Sequence, residues 1–413
     1  MSCRISWLTA CCGRPRLPCG AVPTRYSRAS SPVAWGYAEL TAHGRFIMGF
    51  DMEETDQLIR DTAHRLFTDQ CDAETVNGSE CGEAPERLQK AILEAGLTLA
   101  WVPEAAGGVG GSLALGFSLI RQAAGFALPV PLADTLVANL LLAESGLEIA
   151  DQWAALAMDG GELPVLVQGK VSGVVEAASG MPEAEVLVMP VTQGGQIRIA
   201  VFTPSVVDVQ HHESLAGEAR SRITLNAAVP DQLSDPVDGM TADGLGQFCA
   251  LVRACQIAGA LEKMGELTVG YVKERQQFGR PLGKFQAVQH KVADIAGESA
   301  ISGAAVEQAI RMISSHPAPF DGSMDILLPV ATAKVVASEA AGKVPRDAHQ
   351  AHGAMGFSFE YPLHQYSRRV WSWREEFGSE FYWSERLGMA VASEIDTHGS
   401  GKSATRAWDV VSR

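Results

Sequence analysis

Residues Glu274 to Ala296 read ERQQFGRPLGKFQAVQHKVADIA. A long apolar-periodic helix runs into Arg275, two glutamines and Phe278-Gly279. A Pro/Gly break follows, and a second amphipathic helix opens at Phe285-Gln286. This spacing predicts Arg275 at a helix end, where a planar guanidinium grips a phosphate through two parallel hydrogen bonds. Gln277 and Gln286 bring amide donors and acceptors close by. The plain alternative is a helical hairpin with a solvated arginine.

A second stretch, residues 350–363, reads QAHGAMGFSFEYPL, and Tyr366, Arg368 and Arg369 follow it. Gly353 and Gly356 permit a turn whose backbone N–H groups approach an anion with no side chain in the way. Here the plain alternative is a simple helix break.

Outward from these stretches the chain alternates in texture. Of its 413 residues, 46% are apolar and 20% charged, with a net charge of −15. That length supports two or three domains or one large multilayer unit. The acidic balance argues against nucleic acid or an anionic membrane as main partner. No run approaches the roughly 18 uncharged apolar residues expected of a membrane span. Four of the eight cysteines fall in the first 20 residues, and the rest have neither metal-ligand nor disulfide spacing, which suits a reducing compartment.

Residues 1–47 carry six arginines and no acid before Glu39. That composition suits an organellar transit peptide or, preferably, an upstream extension outside the folded part. Helical periodicity begins at Leu58, Ile59, Ala63, Leu66 and Phe67. Further helices are predicted over about 112–127 and 131–145. From about residue 160, short Val-rich runs alternate with turn residues, and Gly194-Gly195 joins two of them as a hairpin. These predict a small antiparallel barrel or sandwich. Long helices return at about 243–275, 284–315, 325–349 and 363–396. The expected fold is therefore α+β and multidomain. A tail at 399–413 follows an extension (1–47), a helical domain (48–150), a middle β-domain (151–240) and a C-terminal four-helix bundle (241–398).

This order, together with R-x-x-F-G-x-x-x-x-x-F-Q across Arg275, Phe278, Gly279, Phe285 and Gln286, resembles the acyl-CoA dehydrogenases over roughly residues 53–396. The segment from Gln350 is similar to that family's Q-x-x-G-G-x-G, with Ala354 in place of the second glycine. Pro103-Glu104 and Gly107-Gly108 match a further family loop. The resemblance implies FAD as cofactor. It implies cofactor contacts from Arg275, Gln277, Phe278, Gln286, Gln350, Gly353 and Ala354. It also implies an acyl-CoA substrate, an electron-transfer flavoprotein as electron acceptor, and a homo- or hetero-oligomer, dimer or tetramer, in which these residues reach a neighbour's FAD. The family's Thr-Glu-Pro strand and Gly-Ser-Asp, which meet the flavin ring, are missing here, and the middle domain is short.

Acyl-CoA dehydrogenation removes a weakly acidic α-proton, which demands a carboxylate raised in pKa by burial. The family places that base in a loop before the last long helix. Laying Ser379-Glu380 on the family's Ser-Glu puts Glu376 at the base position, with Glu375 beside it; a solvated charge cluster is the alternative. The family's second base position falls near Val252. His349, His352 and His364 lack a supporting carboxylate or cysteine, so no metal site is expected. The expected function is FAD-dependent α,β-dehydrogenation of an acyl-CoA. The alternative is a catalytically silent subunit that completes a partner's FAD site. The expected location is cytoplasmic, or the mitochondrial matrix if residues 1–47 are a transit peptide.

Overall fold

The computed structural model of the protein describes residues 54–180, 182 and 184–398. The extension and the tail both lie outside these residues. Five helices come first: α1 (Glu54–Gln70), α2 (Ala73–Glu80), α3 (Glu86–Glu94), α4 (Leu113–Gly125) and α5 (Leu132–Glu144). Their starts follow from local chemistry. Asp72 caps α2 by accepting from the Thr75 amide at 2.8 Å, and Ser112 caps α4 by accepting from that of Leu115 at 3.1 Å. Each cap satisfies an amide that the first helical turn leaves without a partner. The α1 periodicity buries Ala63 and Phe67 while Leu58 stays exposed.

Eight strands form one sheet: β1 (Ala154–Leu156), β2 (Val165–Val167), β3 (Lys170–Ser179), β4 (Val186–Gln193), β5 (Gln196–Phe202), β6 (Asp208–His212), β7 (Arg220–Ala228) and β8 (Gln232–Leu233). Their order is β6-β7-β3-β1-β4-β5-β8, with β2 pairing to both β3 and β4. The predicted hairpin is β4–β5. Its turn glycines, Gly194 and Gly195, have φ of 60° and 85°, the mirror-image turn that suits strand twist. One expectation is corrected: the sheet is not purely antiparallel, because β1 and β2 each run parallel to β4. His211 and His212 lie in β6. Leu166, Val175, Leu187, Met189, Phe202 and Ile223 fill the sheet's core.

Four long segments close the chain: α6 (Ala242–Glu274), α7 (Gln286–Ser315), α8 (Met324–His352), and a last helix broken into α9 (Leu363–Trp373) and α10 (Glu380–His398). Periodicity predicted one helix over 363–396; the break falls in the loop where the resemblance places the base. Phe377 and Gly378 both take positive φ there, 54° and 96°, which no helix accommodates. Between α6 and α7, β9 (Gln276–Gln277) and β10 (Arg280–Pro281) form a small hairpin. Helix α6 is long and apolar enough to cross a membrane by length and composition. Its most apolar window is 94% buried inside the fold, so it is a core helix. Its small residues permit this: a Cβ on Gly259 would stand 2.1 Å from the Arg121 carbonyl oxygen, so α4 and α6 touch backbone to backbone only with glycine there.

Candidate cofactor site and the Glu376 clamp

The two phosphate-type motifs meet at one end of the helical block. Arg275 is the C-cap of α6, and its side chain is exposed. No carboxylate of the described residues engages its guanidinium. The hairpin after it projects from the body, with Gln277 exposed and Phe278 90% exposed. Phe285 anchors the hairpin: the Arg280 guanidinium lies 4.1 Å over its ring, and Phe278 meets it edge-on at 6.1 Å. Gln286 opens α7, also exposed.

Gln350 is exposed near the end of α8, which stops at Gly353 with φ 61° and ψ −139°. Only glycine holds that conformation readily. A Cβ there would meet nothing within 4 Å, so the turn opens outward. Ala354 is exposed beside it. Its methyl group therefore leaves the approach to the turn open.

A ring stack and a hydrogen bond bring these motifs to the same end. Tyr271, one turn before Arg275, stacks on His352 at 4.4 Å between ring centroids, and its hydroxyl donates to the His352 carbonyl at 3.3 Å. His352 immediately precedes Gly353. An exposed arginine fork and an open glycine turn at the same end of the block fit a dianionic diphosphate. The residues present thus suit the pyrophosphate of FAD. The described histidines, cysteines and carboxylates include no group able to hold a metal ion.

Glu376 is placed differently from its expected role. Its carboxylate, 19% exposed, accepts from Arg220 of β7 at 2.7 Å and from Arg253 of α6 at 2.7 Å. Ser372 adds a third hydrogen bond at 3.2 Å. Burial alone would raise its pKa, but Arg220 and then Arg253 overcome burial and hold it down at about 2. A proton-abstracting base needs the opposite shift. In this structure the carboxylate expected as the base is an ion-pair partner of Arg220 and Arg253. Glu375 is exposed and pairs with Arg374 at 2.8 Å.

The clamp belongs to a larger network. Arg253, 2% exposed, also donates to Asp134 of α5 at 2.8 Å, to Gln256 at 2.7 Å and to Ser179 of β3 at 3.3 Å. Arg220 donates to Glu218 at 2.9 Å, which accepts from the Trp373 indole at 3.0 Å. Arg369 of α9 reaches Glu80 of α2 at 3.0 Å, and Arg368 pairs with the same carboxylate. Beneath the loop lies Lys334 of α8, fully buried. Its ammonium donates to the Trp373 and Arg374 carbonyls at 2.8 and 2.9 Å. Burial drives its pKa down to about 7, and Glu376 only partly restores it.

Sequence reasoning passed over Arg253, Arg220, Asp134 and Lys334. A signal was present for two of them. Arg253 interrupts ALVRACQIAGA and Lys334 interrupts PVATAKVVA, each a lone cation in an apolar run. Such a residue needs buried partners. The identity of those partners depends on tertiary approach, which spacing does not encode.

The family model described as acyl-CoA dehydrogenase, C-terminal domain, matches residues 248–382. The acyl-CoA dehydrogenase IpdE2 of Mycolicibacterium smegmatis is 26% identical over 324 residues, which is 77% of this chain and 93% of that protein. Among solved structures, the ChsE4-ChsE5 complex of Mycobacterium tuberculosis superposes with a TM-score of 0.74 at 22% identity, covering 84% of this chain and 99% of that one. Butyryl-CoA dehydrogenase of Megasphaera elsdenii gives 0.69 at 19% identity, covering 84% and 100%.

Proposed function

The chain belongs to the acyl-CoA dehydrogenase family, and from that premise we propose that it serves FAD-dependent α,β-dehydrogenation of an acyl-CoA thioester, with electrons passing to an electron-transfer flavoprotein. The observation that carries this reading is the pairing of Arg275 with the Gly353 turn at one end of the helical block, joined by Tyr271 and His352. Arg275 would bind one side of the pyrophosphate and the turn's backbone the other. Gln277, Phe278, Gln286 and Gln350 would flank them. Bound FAD supplies the acceptor for the hydride leaving Cβ. Because hairpin and turn both project outward, the reading includes an oligomer in which they complete a site with a second subunit. The reduced thiols of Cys71, Cys249 and Cys255 fit a cytoplasmic setting.

A second reading draws support from the clamp on Glu376. With that carboxylate held between Arg220 and Arg253, the α-proton would pass to a carboxylate of a different subunit. This chain would then complete a partner's FAD site in a hetero-oligomer. ChsE4-ChsE5, similar in fold, is a complex of two chains.

One experiment tests both. Purified full-length chain is loaded with FAD and mixed anaerobically with acyl-CoA thioesters while the flavin band near ~450 nm is followed. The leading reading expects bleaching. If the chain binds FAD but no acyl-CoA bleaches it, the second reading stands. A chain that takes up no flavin by itself overturns the leading reading.

A further inference from the structure

Three rings knit α6, α8 and the connector before α9 together under the candidate pyrophosphate site. His352 lies between Tyr271, stacked at 4.4 Å, and Tyr361, tilted at 4.9 Å. The two tyrosines meet edge-on at 5.8 Å. The His352 Nδ1 lies 2.7 Å from the Ala348 carbonyl oxygen. A carbonyl only accepts, so that nitrogen carries the proton. In the neutral ring Nε2 is then an acceptor, and it lies 3.2 Å from the Tyr361 hydroxyl. That hydroxyl is also 3.3 Å from the Leu267 carbonyl of α6. The imidazole is buried, and burial lowers its pKa, in keeping with the neutral ring. Gly356 presses on the same group from above: a Cβ there would come within 3.0 Å of the His352 Cβ.

We propose that His352 is the positioning residue that fixes Arg275 against the Gly353 turn, so that the two halves of the diphosphate site keep one spacing. Each half sits on a different helix. Arg275 follows Tyr271 by one turn of α6, and the turn follows His352 directly. The Tyr271 hydroxyl bond to the His352 carbonyl joins the same two ends through the main chain, and the ring stack adds the side-chain contact. The stack resists sliding of α6 along α8, and the Tyr361 hydroxyl ties the same ring to the connector. A diphosphate that must be gripped from both sides is sensitive to shifts of about 1 Å.

This inference rests on the FAD reading above, and the test separates the two. The full chain is stripped of flavin and titrated with FAD, reading quenching of flavin fluorescence; thermal melting without flavin reports the fold. His352→Ala removes the stack and is expected to weaken FAD binding at least about tenfold. His352→Phe keeps a ring between the tyrosines. The Tyr361 hydroxyl then donates to Leu267, so no buried donor is stranded. This variant should recover most of the affinity, which a mere loss of stability would not predict. Tyr361→Phe, a change that leaves the rings in place, should cost only a few-fold and serves if His352→Ala does not fold. Arg275→Ala is the control. If it weakens FAD binding while the His352 variants bind as tightly as wild type, the positioning role is overturned and the FAD reading survives. If Arg275→Ala also changes nothing, the FAD reading itself fails.

Discussion

At Glu376 two arginines decide the chemistry. An isolated carboxyl in a closed cleft gains pKa and becomes a base; the same carboxyl between Arg220 and Arg253 loses pKa and becomes a counter-ion. The register that placed Glu376 was readable from Ser379-Glu380, but its partners lie 156 and 123 residues away in sequence and leave no local trace. Glu376→Gln keeps the shape and removes the charge that two buried guanidiniums require. Breaking one member of a buried pair costs about 3–5 kcal/mol, so the variant should melt well below wild type. The pH sign follows from the shift. The folded pKa, about 2, lies below the carboxyl's ordinary 4.5. The stabilisation is thus complete above about 4.5 and is lost as pH falls from there toward 2. Chemical denaturation of wild type and Glu376→Gln at pH 7, 4.5 and 3 should show their gap narrowing as pH drops. A constant gap would mean that the carboxylate is not held ionised by the arginines.

At the scale of elements, periodicity and turn chemistry gave most of the fold. The helices predicted at 243–275 and 284–315 are found at Ala242–Glu274 and Gln286–Ser315, and the Gly194-Gly195 hairpin is where it was placed. Strongly periodic segments and glycine turns report local energetics directly. Two things escaped. The 363–396 helix is broken, because Phe377 bends with positive φ where its ring lies 5.6 Å from the Arg253 guanidinium, a tertiary cause. The parallel β1–β4 pairing comes from chain crossover, which alternation does not reveal. Lys334 shows how the broken helix is ended: its ammonium caps the last carbonyls of α9, a favourable place for a cation, though buried. Its folded pKa of about 7 stands below the ordinary lysine value of 10.5. Between those values the unfolded chain holds the proton more often than the folded one. The contribution of Lys334 to stability therefore rises with pH from about 7 toward 10.5. Lys334→Met has no such titration. The stability of wild type relative to Lys334→Met should increase between pH 7 and 9.5 in urea denaturation; a flat difference would show the ammonium to be charged throughout.

Over residues 54–398 the ion network does what no single hydrophobic contact does. Arg253 alone touches α5 through Asp134, the sheet through Ser179 and the loop before α10 through Glu376. Arg220 brings in β7, and Arg369 with Glu80 brings in α9 and α2. Helices before the sheet, the sheet itself and helices after it are thus joined by charges that cannot separate without exposing unpaired partners. Such a junction stabilises little in net terms, since desolvation offsets attraction. Its effect is on coupling. The sheet has its own core and could unfold apart from the helices if nothing bound them. Wild type should therefore unfold in one transition, with far-UV circular dichroism and tryptophan fluorescence coincident. Arg253→Met frees Asp134, leaves Glu376 to Arg220 and Ser372, and deletes the side chain that joins all three regions. The two probes should then separate, because the sheet lacks tryptophan within its strands while Trp373 and Trp383 are buried among the helices. A lower melting temperature with the probes still coincident would show that apolar packing, such as that of Phe377 against Gly160, couples the layers instead. The same measurement bears on chemistry. A carboxylate that also fastens three regions of the fold cannot be released for proton transfer without loosening all of them. Arg253→Met removes one of the two arginines that hold the Glu376 pKa down, so any latent basicity of that carboxylate should emerge there as faster flavin bleaching.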